Sequence, residues 1–287
     1  MLFKNILFPV DFSGRSRALA PHVRAVCDRF KASLTVLHLV EVPPMAYGTP
    51  EAPIMFDLPV DEIKQCAEQR LAGFVATEFP GTQVSTVVDT GDAGSCIAEL
   101  ARIWQSDLIM LPTRGNGRFR AALLGSVAAK TLHDATCPVW TESHCEEAAP
   151  EHTEWRNIVC AIDTVPEGSR LIRFASELAA DSGGKVCLVH AVPAAVTGPE
   201  KYMDREFALS LEELARQQIA VMQAEAGTRF AVCLGAGNIP DVVRHAAESH
   251  HADLVLIGRG ALPHFAGRLR SHAYAIVRDM PCPVLSV

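Results

Sequence analysis

The sequence predicts an α/β protein made of two copies of one unit, each a five-stranded parallel sheet with helices on both faces. Three observations predict it. The chain repeats itself at a nearly constant interval. Within each copy, short continuous apolar runs alternate with stretches of helical spacing. A polar, acidic stretch joins the copies.

The repeat is read from landmarks. The run "KNILFPVDFSGRSRAL" (4–19) resembles "RNIVCAIDTVPEGSRLI" (156–172), and Asp163 lies 152 positions beyond Asp11. "LTVLHLV" (34–40) matches "VCLVHAV" (186–192) at the same interval, with His190 over His38. "SDLIMLP" (106–112) matches "ADLVLIG" (252–258) at 146, and "TCPVW" (136–140) matches "PCPVLSV" (281–287) at 145. The order is identical, so the chain is a duplication whose second copy is slightly shorter. The predicted domains are 1–142 and 155–287, with 143–154 an acidic linker. Each copy has an ordinary domain size.

The elements follow in order. "NILFPV" (5–10) is a continuous apolar run and predicts a strand buried on both faces. After Ser13 and Ser16 come Leu19, Val23, Val26, Cys27 and Phe30 at helical spacing. Pro21 falls inside that helix and is expected to kink its first turns. "SLTVLHLV" (33–40) predicts the second strand. Ile63, Ala67, Leu71 and Phe74 mark a helix over 60–79, and "QVSTVVD" (83–89) the third strand. Ile97, Leu100, Ala101 and Trp104 mark another helix before "DLIML" (107–111), the fourth strand. A helix follows Ser126, and "CPVW" (137–140) is the fifth strand. The second copy repeats this, with Val243, Ala246 and Ala247 on its third helix. Strands alternating with helices give a parallel, Rossmann-like sheet.

Bulk composition narrows the function classes. The net charge is −7, against the clustered Lys and Arg that a nucleic-acid surface needs. No apolar run is long enough to span a bilayer. The N-terminal "MLFKNILFPVDFS" reaches Asp11 too soon for a signal peptide, so a cytoplasmic location is expected. There are nine cysteines and no C-x-x-C; they read as reduced, mostly buried thiols. Cys145, beside His144, Glu146, Glu147 and His152, matches no standard metal spacing and reads as solvated linker. No metal ligands and no catalytic residues are assigned, because no nucleophile–base pair stands at suggestive spacing. Asp107 and Asp253 read as turn or cap residues, and His38 and His190 as histidines satisfied by backbone.

Ligands of open parallel sheets bind beyond the carboxyl ends of the strands. Asp11, Leu39 and the loop "PTRGNGRFRAALLGS" (112–126) all fall on that edge. Gly115 and Gly117 permit close backbone approach, and successive amides form an anion nest. Gly125 and Ser126 open a helix, with Ser126 the expected N-cap, and a helix start favours anions. Arg114, Arg118 and Arg120 either clamp a phosphate or face solvent. No Walker motif occurs, and no G-x-G-x-x-G follows the first strand. On spacing alone, a phosphate cradle and a plain surface loop both remain open.

The set "ILFPVDFS", "LTVLHLV", "DLIMLPTRG" and "GSVAAKTLHDATCPV" resembles the universal stress protein family, as do "IVCAID", "CLVHAV", "DLVLIGRG" and "CPVLSV" in the second copy. The resemblance covers nearly the whole chain. Nucleotide-binding members carry G-x-x-G-x(9)-G-[S/T] after the fourth strand. Here Pro112 stands at the first position, followed by Gly115, Gly125 and Ser126 at the other three. The resemblance implies an ATP site, with or without Mg, in the first copy. Pro9, Val10 and Asp11 would face the adenine end, and the backbone at Leu39 would bond the base. Arg114, Gly115, Gly117, Gly125, Ser126 and Val127 would hold ribose and phosphates. In the second copy the corresponding residues are Asp163, Gly258, Gly260 and Ser271. There Arg270 replaces the glycine, and His272 the valine. The family pairs subunits through the last strand, which implies a pseudo-dimer of the two copies and further association into a homo-oligomer. The resemblance implies an adenine-nucleotide-dependent regulator or sensor in stress adaptation, acting through unknown protein partners. Two alternatives stay open: an interaction or apolar-ligand-carrier protein with degenerate sites, and a slow ATPase.

Overall fold

A computed structural model of the chain describes residues 2–41, 46–49, 52–55, 59–114, 124–143, 155–165, 168–193, 201–259 and 271–287. The contacts divide into two units, and the division falls between Val139 and Trp140.

The first unit runs β1 (Asn5–Pro9), α1 (Gly14–Phe30), β2 (Ser33–Val40), β3 (Ala46–Thr49), β4 (Ala52–Met55), α2 (Val60–Glu78), β5 (Val84–Thr90), α3 (Ala93–Ile103), β6 (Leu108–Pro112), α4 (Ser126–Asp134) and the start of β7 (Val139–Glu142). The strand order is β5-β2-β1-β6, with β7 beyond β6. β1 pairs with β2 and β6, and β2 with β5, all in parallel. Right-handed crossovers place α1 and α2 on one face, α3 and α4 on the other. The packing agrees, since α1 contacts α2 and α3 contacts α4.

Burial explains why these runs are strands. Ile6, Leu7 and Phe8 of β1 and Leu108, Ile109 and Met110 of β6 are almost fully buried, as strands covered on both faces require. Phe8, Phe74 and Phe79 form an aromatic cluster under α2. α1 starts at Ser13, whose hydroxyl accepts from Ser16 N, and ends at Lys31 in the left-handed region. The helix continues through Pro21. β3 and β4 form an antiparallel hairpin that the apolar pattern did not announce. The fifth strand spans 139–142 rather than 137–140, because Cys137 and Pro138 turn into it.

The second unit contains β8 (Asn157–Ala161), α5 (Gly168–Ser182), β9 (Lys185–Val192), α6 (Lys201–Ala226), β10 (Ala231–Ala236), α7 (Ile239–Ser249), β11 (Leu254–Ile257), α8 (Ser271–Asp279) and β12 (Val284–Ser286). Its strands lie in the order β10-β9-β8-β11-β12, all parallel. Residues from Trp140 onward belong with this unit, where Thr141 Oγ1 donates to Val284 O and Trp140 packs on Trp155.

At the amino edge the two units share one polar device. Asp107 accepts from Lys4 N (2.7 Å) and Asn5 N (3.0 Å), and Asp253 accepts from Arg156 N (2.9 Å) and Asn157 N (2.8 Å). Each carboxylate satisfies the amides that open its unit's first strand. Asp107→Ala should therefore destabilise the first unit by about 1 kcal/mol through the loss of those two solvent-accessible bonds, read as a lower urea midpoint with an unchanged slope.

Candidate functional site

The carboxyl edge of the first sheet is assembled by the strand order. β1 lies between β2 and β6, so the segments leaving all three strands meet above it. Val10, 5% exposed, donates to Leu37 O at 2.8 Å. Its own carbonyl receives His38 Nδ1 at 2.8 Å. A carbonyl only accepts, so Nδ1 carries the proton. His190 does the same to Ile162 O at 2.9 Å, so both histidines tie the second strand's end to the first's.

Asp11 is half-buried. Its Oδ1 accepts from Ser16 Oγ at 2.7 Å and from Ser13 N at 3.0 Å. The carboxylate thus sits at the positive end of α1. This anchoring was not visible in the spacing, although the serines at 13 and 16 are its signal. Asp163, by contrast, accepts locally from Thr164 N at 3.1 Å. Leu39 lies on β2 beside Asp89 of β5.

The β6 side contributes Pro112 and Thr113, both buried, and half-buried Arg114. Gly125 N donates to Thr113 O at 2.8 Å, which fastens the start of α4 to the end of β6. Thr113 was not singled out from the sequence; its carbonyl is the anchor. The N-cap of α4 is Gly125 and not Ser126. Gly125 is extended (φ −64°, ψ 146°) and its carbonyl takes the first intrahelical bond, from Ala129 N, so Ser126 is already helical. No side chain caps this helix, and the amides of Ser126, Val127 and Ala128 precede its ladder. Ser126 is exposed and Val127 half-buried.

The structure therefore brings Pro9, Val10, Asp11, Leu39, Arg114, Gly125, Ser126 and Val127 to one edge. Gly115, Gly117, Arg118 and Arg120 lie outside the described residues, as do Gly260, Arg270 and Cys145 with its neighbours. In the second unit, Asp163 and Gly258 follow β8 and β11, and Ser271 opens α8. Among the described residues, a Cβ at Gly258 would meet only Leu171 Cδ2, at an ordinary 3.7 Å. The strand end is tied instead by Arg259 N to Val287 O at 3.0 Å.

With that geometry in place, the chain can be set beside known proteins. The model of the universal stress protein family matches residues 2–141 and again 154–287. This chain belongs to the universal stress protein family. Its two copies stand in tandem. A universal stress protein of Methanocaldococcus jannaschii is 31% identical over 140 residues, 48% of this chain and 81% of that protein. A universal stress protein A homologue of Coxiella burnetii is 33% identical over 141 residues, 48% of this chain and 95% of its own length. The crystal structure of a universal stress protein from Archaeoglobus fulgidus shares the fold with a TM-score of 0.68 at 20% identity, over 98% of this chain and 95% of that one.

The cysteines of this universal stress protein carry no reactive chemistry in its core. The eight described cysteines form no disulfide. Burial, and then Asp28, push the Cys27 thiol up to about 12. Burial, then Asp253 and Glu142, raise Cys282 to about 12. Burial also raises Cys160, and it raises Cys187 to about 11. Among the described residues no cluster of three metal-ligating side chains occurs, and no helix is long and apolar enough to cross a membrane. At pH 8, iodoacetamide should alkylate exposed Cys66 at least about 100-fold faster than Cys27, Cys160 or Cys282, as read by peptide mass spectrometry; in urea the difference should vanish.

Proposed function

We propose that this tandem universal stress protein is an adenine-nucleotide-binding regulator or sensor in stress adaptation, with ATP held by the first unit in preference to the second. One observation carries the proposal. The uncapped N-terminus of α4 is fastened to the end of β6 by Gly125 N–Thr113 O, directly beside the end of β1. Amides at a helix start, without a side-chain cap, present partial positive charge to an anion. Arg114 adds a full charge on the same side. Asp11 would repel phosphate and accept from an amine, so it belongs at the nucleoside end. The triphosphate then runs from above β1 toward α4, and Mg accompanies it as the phosphates' own counter-ion. The second unit departs at the same place, because Arg270 stands where Gly125 caps the helix and lets a ligand approach.

Saturating ATP, at about 100 times its dissociation constant, should stabilise the first unit by about 2.7 kcal/mol, a rise of roughly 5 °C in melting temperature. Mass spectrometry of gently purified protein should find ATP or ADP. Ser126→Pro keeps α4, since proline suits the first helical position, but deletes one amide donor. It should weaken ATP about tenfold or more. Gly115→Val should abolish the ATP shift and leave the apo melting temperature unchanged. No retained nucleotide and no shift in millimolar ATP would refute the proposal.

A further inference from the structure

Phe12 is the feature that the nucleotide proposal leaves unexplained. It follows Asp11 directly and has φ +60°, a left-handed conformation that a bulky side chain rarely adopts. Such strain, on the order of 1–3 kcal/mol, persists only where surroundings hold it, and it gathers at functional sites. Phe12 is held on three sides. Phe74 meets it edge-on with centroids 5.8 Å apart, the His38 ring lies 4.3 Å away, and the Arg70 guanidinium sits 4.4 Å over its face. The second unit has no such ring, because Thr164 stands 152 positions on.

Beside this ring is a cavity of about 310 Å³. Its apolar wall is Phe12, Val40, Ile63 and Ala67, and its polar groups are Arg70, His38 and the exposed thiol of Cys66. The described lining contains no acidic side chain. Arg70 brings the guanidinium to this lining. The Nδ1 proton of His38 is already given to Val10 O.

We propose that this cavity is a second binding site, for a small aromatic carboxylate. The volume lies at the low end for ligand pockets, roughly 300–1,000 Å³, which suits one ring and not a nucleotide. The ring would pack on Phe12, Ile63 and Ala67, and the carboxylate would pair with Arg70 in the fork geometry that guanidinium favours. The site is separate from the nucleotide crevice. Side chains alternate along β2, so His38 and Val40 face α2 while Leu39 points to the opposite face of the sheet. In the second unit Thr164 stands in place of the ring on which this site is built.

Cys66 supplies the readout. In the full chain, without nucleotide, benzoate should slow alkylation of Cys66 by iodoacetamide with saturation in the millimolar range, and benzyl alcohol should do so much less. Arg70→Gln, an exposed change that leaves the fold intact, should weaken benzoate protection about fivefold, the worth of an exposed ion pair. Phe12→Gly fits the left-handed backbone and removes the ring; it should abolish protection. The proposal is overturned by absence of protection in millimolar benzoate, by equal protection from benzyl alcohol, or by an unchanged benzoate response in Arg70→Gln. Benzoate protection that survives in a protein unable to bind ATP would count against the nucleotide proposal alone.

Discussion

The double pairing of β1 governs the first unit. β1 takes β2 on one edge and β6 on the other, so the chain must reverse its direction of travel across the sheet between β5 and β6. That reversal opens a crevice above β1, because the loops leaving its two neighbours diverge to opposite faces. The strand pays for its central place by being apolar throughout, with Ile6, Leu7 and Phe8 almost wholly buried. Every polar group of interest is then pushed to one end of it or the other. The second unit obeys the same constraint, with β8 between β9 and β11.

The two ends have diverged differently. At the amino edge the copies agree in detail. Asp107 and Asp253 hold the entering amides, Asn5 and Asn157 donate to the carbonyls of Gln105 and His251, and those two residues share a left-handed backbone. This edge holds the start of each unit's first strand. At the carboxyl edge the histidine–carbonyl tie recurs in both copies, as do the backbone bonds Val10 N–Leu37 O and Ile162 N–Val189 O, while the side chains around them differ. Asp11 accepts from Ser16 Oγ while Asp163 accepts from Thr164 N, and in the sequence Phe12 corresponds to Thr164 and Gly125 to Arg270. The scaffolding at the amino edge is thus shared by the two copies, and the side chains at the carboxyl edge are not.

Much of this was legible in the sequence because burial on both faces writes itself as an uninterrupted apolar run. "NILFPV" and "DLIML" are legible for that reason, and the repetition of His38 as His190 already pointed to structure rather than catalysis. The misses have local causes. Ser126 is a good N-cap by residue type, but Gly125 is pinned to Thr113 O and takes the cap itself. Pro21 lies inside α1, whose Leu19, Val23 and Val26 are buried around it. The β3–β4 hairpin has no alternating pattern in "AYGTPEAPIM" and depends on cross-strand bonds that residue types do not encode. The left-handed Phe12 was not legible at all, since nothing in its type predicts positive φ.

The proposed nucleotide lies between the end of β1 and the start of α4. Titrating the ¹⁵N-labelled full chain with ATP and following amide resonances tests this directly. Saturable shifts are expected at Val10, Asp11, Leu39, Arg114 and Gly125 to Val127, with the amides held by Asp107 at the far edge unmoved. Saturable shifts confined to other residues, or none in millimolar ATP, would contradict it.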